Sequence, residues 1–144
     1  MAHSAANCLP TIARHLWAGP VTLLGLLAAA ASLSLPRVRG SILISRSGRG
    51  FAYWFLTRRG YSAITLGHLV LMAPMTTEDV LSHEMVHVRQ TERWGPLFPP
   101  AYLAAMLLAR SMGKDPYWDN PFEVEARSHP APVPVSRSEG VGGA

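Results

Sequence analysis

This chain of 144 residues carries one cysteine, Cys8. A disulfide framework needs cysteine pairs and a thiolate-built structural zinc site needs several, so both are excluded. Charge is scarce too: only 15% of the residues are Asp, Glu, Lys or Arg. The sequence contains no internal repeat, no glycine-rich phosphate loop and no nucleic-acid-binding motif of recognised spacing. The net charge of +4 and the isoelectric point near 9.8 therefore do not argue for a nucleic-acid partner. The length suits one domain with a modest core.

Apolar residues are plentiful, and they are concentrated. Residues 16–35 carry no charge, and a helix needs about 20 such residues to cross a bilayer. Pro20 sits near the start of the run, where a helix tolerates it. Trp17 stands at one end, as interfacial aromatics do. Three readings fit: a retained membrane-embedded helix, a signal peptide cleaved near the alanines at 28–31, or the core helix of a soluble domain. The first is favoured. Arg37, Arg39, Arg46, Arg49, Arg58 and Arg59 follow the run, whereas only Arg14 and the amino terminus precede it. These arginines suit anionic membrane lipid, and by the positive-inside rule they keep the remainder of the chain in the cytoplasm. The absence of cysteine pairs is compatible with a reducing compartment.

The chemistry is carried by His83-Glu84-Met85-Val86-His87, an H-E-x-x-H pattern. Positions four apart share a helix face, so His83 and His87 can aim two imidazoles at one metal ion. Glu84 lies beside the first of them and can act as general base toward a water at that ion. The flanks predict the helix this geometry requires. Thr76 or Thr77 can cap it, and Glu78 and Asp79 suit its positive start. Gly95-Pro96 ends it. Val80 or Leu81, Met85 and Val88 form an apolar stripe beside the histidine face. The competing reading is a solvated histidine pair in a small membrane protein without metal.

A catalytic zinc site needs a third protein ligand and an open position. The extended pattern H-E-x-x-H-x-x-G-x-x-H fails, because Gln90 and Arg93 stand where Gly and His are needed. The remaining solution is a carboxylate from a later helix. Asn120 can cap such a helix, Pro121 suits its first position and His129-Pro130 ends it. It carries Glu123 and Glu125, which cannot face the same way. One can bind metal while the other meets solvent or an arginine.

Residues 83–90 followed by 120–127 resemble the gluzincin metallopeptidases, most of all their smallest members, the minigluzincins. Those share an active-site helix and a glutamate helix with the membrane CAAX-type zinc proteases. Glu123-Val124-Glu125-Ala126-Arg127 follows the E-x-E-A-[DN] pattern of that group at Glu123, Glu125 and Ala126. Arg127 departs from it, standing where an Asp or Asn often supports the first histidine. The chain is also similar to small bacterial proteins that have a hydrophobic N-terminus, the same pair of motifs and no assigned substrate. The resemblance implies Zn²⁺ on His83, His87 and Glu123, with Glu84 as base. It implies a membrane-associated metallopeptidase acting on a peptide or protein substrate.

The expected fold is α+β: a minimal zincin-like domain with a small antiparallel or mixed sheet, an active-site helix and a glutamate helix. The expected division is an N-terminal segment at 1–15, a hydrophobic helix at 16–36, the catalytic domain at 37–129 and a disordered Pro-, Ser- and Gly-rich tail at 130–144. Residues 41–45 and 62–72 read as strands, 51–56 fit strand or helix, and a helix is expected over about 100–111. Zincins line the cleft with a strand upstream of the active-site helix. The resemblance thus makes residues 65–71 the substrate-binding edge, through Thr65, Gly67 and Leu69, with Gly67 allowing close backbone approach. His68 reads as structural. Tyr102, Tyr117, Arg127 and His68 are all candidates to stabilise an oxyanion. The alternative from a different class is a non-catalytic, metal-stabilised binding or scaffold module at the membrane. Oligomeric state is not legible.

Overall fold

The computed structural model describes residues 11–134; the expected terminal segments at 1–10 and 135–144 lie outside them. Helix α1 spans Thr11–Ala31, so it begins at residue 11 rather than 16. Strands β1 (Arg37–Arg39) and β2 (Ile42–Arg46) follow. Helix α2 occupies Gly50–Arg59 and settles the ambiguity over 51–56. Its buried side chains, Ala52 and Leu56, are one helical turn apart, and Gly60 closes it at φ +70°.

The stretch expected as one strand over 62–72 is a hairpin of β3 (Ala63–Leu66) and β4 (Leu69–Met72). Gly67, at φ +68°, takes the first place of a two-residue turn, where glycine is favoured. The sheet order is β1-β2-β4-β3, with β2 and β4 parallel and the other pairs antiparallel. This small mixed sheet carries α1 and α2 on one face and α3 (Glu78–Trp94) on the other.

Strand alternation sorts the side chains between the two faces. Leu69 and Leu71 pack with Ala29 and Ala52, while Val70 and Met72 pack with Leu81, Met85 and Val88 of α3. On β3 the same alternation turns Ala63 and Thr65 toward α3 and Ile64 and Leu66 toward α1. Because β4 is buried on both faces, its sequence runs apolar without interruption, which hid the turn.

A 3₁₀ turn at Gly95–Leu97 leads into α4 (Phe98–Ser111). Helix α5 is Pro121–Ser128; Asn120 caps it by accepting from the Phe122 N–H at 3.1 Å. The chain beyond is docked through Pro134, not loose from residue 130. Ala131 and Ser82 exchange hydrogen bonds, its backbone N–H to the Ser82 carbonyl and the Ser82 hydroxyl to its own carbonyl. Arg39 Nε donates to the Pro134 carbonyl at 2.8 Å.

Helix α1 is long and apolar enough to span a membrane, yet it is not a core helix, since only 22% of its most apolar stretch is buried. One narrow face is docked along its whole length. His15 stacks on His68 with ring centroids 4.1 Å apart, the Gly67–His68 turn sits on Thr22, and Ser32 accepts from the Ala52 N–H.

Candidate metal centre

Helix α3 crosses the sheet beside the edge strand β3, which puts the H-E-x-x-H residues under that edge. Its start carries Glu78 and Asp79 as expected, with Thr77 in the cap position. Helix α5 approaches from the other side and presents Glu123, which is buried.

The three side chains converge. His83 Nε2 and His87 Nε2 are 3.2 Å apart, and Glu123 places one oxygen 3.1 Å from the first and the other 3.2 Å from the second. Two nitrogens bound tetrahedrally at about 2.1 Å would be separated by about 3.4 Å. The donor spacing thus fits one shared ion, and the His₂Glu trio can hold a metal. Glu125 does not join it, which settles the choice between the two carboxylates. It faces Gln90 and Arg93 instead, at 2.8 and 3.3 Å.

Gln90 was not anticipated as a functional residue, although its spacing of three from His87 puts it on the same face. Its side chain is fully buried. The amide nitrogen donates to both the Phe122 carbonyl (3.0 Å) and the Glu125 carboxylate (2.8 Å). Two acceptors on that side identify it as the NH₂, so Oε1 faces His87 Nδ1 at 2.8 Å. His87 then donates from Nδ1; the neutral imidazole keeps its Nε2 lone pair for an ion, and the protonated imidazole donates from Nε2 to Glu123 instead. Gln90 therefore orients a histidine and ties α5 to α3 through one side chain.

Glu84 is buried beside the trio, and Thr65 Oγ1 donates to its Oε2 at 2.6 Å. Burial pushes the Glu84 carboxyl up, against the nearby His87 charge and the Thr65 bond. Burial also opposes ionisation of Glu123, but hydrogen bonds from His83 and His87 outweigh it and hold that carboxyl well below the usual carboxylate range. For His87, burial works against the charged form, while the bond to Glu123 prevails and raises the imidazole. Tyr102 donates at 2.7 Å to Glu123 Oε1, the oxygen that faces His87, and burial followed by this bond raises its phenol. Tyr117, nearby, is pushed up to about 12, first by burial and then by the Glu123 charge.

The trio and Glu84 open onto a cleft of about 410 Å³ walled by Val21, Phe55, Thr65, Leu103, Met106 and Tyr117, with Arg59 at its margin. A second hollow of about 530 Å³ lies between α1 and the β1–β2 hairpin and contains none of the trio.

Of the expected substrate contacts, Thr65 lines the cleft, but Gly67 and Leu69 do not. Gly67 is in the hairpin turn, so close to α1 that an added Cβ would meet the Thr22 backbone nitrogen at 2.5 Å. Leu69 is on the central strand β4 and faces α1, with no exposure. The edge is Ala63–Leu66 alone. His68 binds Glu92 at 3.0 Å, remote from the cleft. Arg127 stacks on Trp118 and donates to its carbonyl. Its Nη1 is buried without a hydrogen-bond partner, 4.0 Å from Glu123. It does not take the place of an Asp or Asn behind His83.

Comparison with protein-family models, with curated proteins and with solved structures found no match.

Proposed function

We propose that the chain is a small, membrane-associated zinc metallopeptidase built on a minimal zincin-like domain. The observation that carries this reading is the convergence of His83, His87 and Glu123 within hydrogen-bond distance of one another, with Glu84 buried beside them and an open cleft in front. Two imidazoles and a carboxylate are a borderline donor set that suits Zn²⁺. The ion would supply a Lewis-acidic centre that polarises the scissile carbonyl and acidifies a water.

The remaining steps belong to side chains of the chain. Glu84, steadied by Thr65, takes the proton of the attacking water and passes it to the leaving amine. Tyr117 lines the cleft with a phenol that stays protonated at neutral pH, and it serves as the donor to the developing oxyanion. Tyr102 is engaged with Glu123 and fixes the ligand instead. The outer edge of β3 has no strand partner in the sheet, so an extended peptide pairs there by backbone hydrogen bonds. The apolar walls at Val21, Phe55, Leu103 and Met106 select hydrophobic side chains beside the scissile bond. Helix α1 and its exposed apolar face support membrane association.

Glu84→Gln is the deciding variant. Zinc content should stay near one ion per chain while cleavage of a peptide library disappears. If wild type and Glu84→Gln both bind zinc and neither cleaves, the non-catalytic scaffold is the correct reading. Failure of the wild type to bind zinc at all would overturn the metal site itself.

A further inference from the structure

Helix α1 is inside out. Its described polar side chains, Arg14, His15 and Thr22, and Ser32 just past its end, fall on the face turned to the protein. There Arg14 meets Glu92, His15 meets His68, Thr22 meets His68 N–H and Ser32 meets Ala52 N–H. The opposite half of the helix shows only apolar side chains, among them Ile12, Leu16, Leu23, Leu24 and Leu27, all more than half exposed. Water does not favour this arrangement over some 30 Å of helix, whereas hydrocarbon does.

The docked face runs the length of the helix, and this decides how the hydrocarbon can be met. Near its start, Trp17 closes over Gly95; near its end, Ser32 packs on Gly50. Between them, Gly25 lets α1 touch Leu66 and Leu69 of the hairpin. Were α1 upright in a bilayer, the hairpin and α3 would be carried into the hydrocarbon with it. An open sheet edge such as β3 leaves backbone N–H and C=O groups that hydrocarbon cannot satisfy. We infer that α1 lies flat in the membrane interface, its apolar half sunk among acyl chains, and that the chain is monotopic and does not cross the bilayer.

The occupant is an anionic lipid surface. Helices α1, α2 and α4 contain no Asp or Glu, and no acidic residue precedes Glu78 in the chain, while Arg58, Arg59 and Arg110 end α2 and α4. Leu33, Leu35 and Val38 extend the exposed apolar surface beyond α1. The 530 Å³ hollow, lined by Leu23, Leu26, Val38 and Leu43 beside His15, Thr22, Ser41 and His68, continues this surface. Leu103 is both a wall of the catalytic cleft and 58% exposed. The cleft rim is therefore apolar at Leu103, and a substrate would be a polypeptide segment held at the membrane surface.

This inference rests on the membrane association proposed above but not on catalysis. The native Cys8, before α1, and Arg37→Cys in a Cys8→Ser background, after it, report the two ends of α1 to a membrane-impermeant thiol reagent. Right-side-out and inside-out vesicles of expressing cells supply the two faces. Both positions should react from the same face. Reaction from opposite faces would show a spanning helix and overturn the inference while leaving membrane association intact. Binding of the full chain to phosphatidylcholine vesicles should strengthen on adding phosphatidylglycerol. The double variant Leu23→Glu, Leu27→Glu should weaken it at least about 100-fold, and Met75→Glu, off this face, should not. A chain that ignores both vesicle types and sediments as a dimer dissociated by the same double variant would show that a second copy covers the face, and would overturn both statements. Zinc content and the effect of Glu84→Gln test the peptidase reading separately.

Discussion

Gln90 offers the sharpest test of the metal centre, because it touches the site without being a ligand. Gln90→Met keeps most of the volume and removes three hydrogen bonds, of 2.8, 3.0 and 2.8 Å. The bond to His87 Nδ1 selects the tautomer, and without it Nε2 spends part of its time protonated and turned from the trio. Loss of such an outer partner costs about 10- to 100-fold in metal affinity, which is about 1.4–2.7 kcal/mol. The two bonds to α5 add a separate cost of about 1–3 kcal/mol in folding stability. Competition with a chromophoric chelator reads the first effect; thermal unfolding of the metal-free protein reads the second. Glu125→Ala is the companion variant. It removes one acceptor from Gln90 and leaves Phe122, and Glu125 itself is partly exposed, so zinc affinity should change by about threefold or less. Wild-type affinity in Gln90→Met would refute the orienting role, and a loss in Glu125→Ala as deep as in Glu123→Ala would refute the assignment of the third ligand.

Other outcomes follow from the same geometry. Thr65→Val removes the donor to Glu84, a bond to a charged group worth about 1.5–3 kcal/mol; kcat should fall about 10- to 100-fold at unchanged zinc content, and an unchanged kcat would leave Thr65 without a role. Gly67→Ala sets a Cβ against the α1 backbone at a positive φ, so denaturant unfolding should show a loss of about 2–4 kcal/mol. Glu92 is held below its ordinary pKa, first by the hydrogen bond to His68, with burial opposing. A lowered folded pKa stabilises the protein above the unfolded value and ceases to do so as the pH falls through the folded one. Glu92→Gln should therefore be less stable than wild type at about pH 6, with the gap closing toward about pH 3. A gap independent of pH would assign the loss to packing.

Much of the centre was legible because its signals are local. H-E-x-x-H needs only helical periodicity, and Thr77 and Gly95 stand at the two ends of that helix, although the Thr77 side chain makes no capping bond. Asn120 and Pro121 mark the start of α5 with equal clarity. The choice between Glu123 and Glu125 was not open to local reasoning, since it depends on how α5 rolls against α3. Gln90 fits that roll by bonding both the Phe122 carbonyl and Glu125 of α5, the latter across 35 positions of chain. The hairpin was missed for a related reason. A two-residue turn of Gly67 and His68 carries none of the usual polar punctuation when both flanking strands are buried, and reading it as one strand put Gly67 and Leu69 in the cleft. Helix α1 was legible as apolar, but its docking through Thr22, Gly25 and Ser32 depends on partners spread over three later elements.

The intimacy of α1 with the sheet bears on how this protein can be handled. Apolar leaders are routinely trimmed to make a protein tractable in water. Here a chain started after Ala31 would lose Val21 from the cleft wall, Ala29 from the core over β4 and the aromatic lid that Trp17 forms on Gly95. The hairpin would then have water where α1 lay, and the Thr65 hydroxyl that steadies Glu84 rides on that hairpin. An inert, aggregating fragment would say nothing about the whole chain. Solubility is better sought by changing the exposed leucines of α1 one at a time.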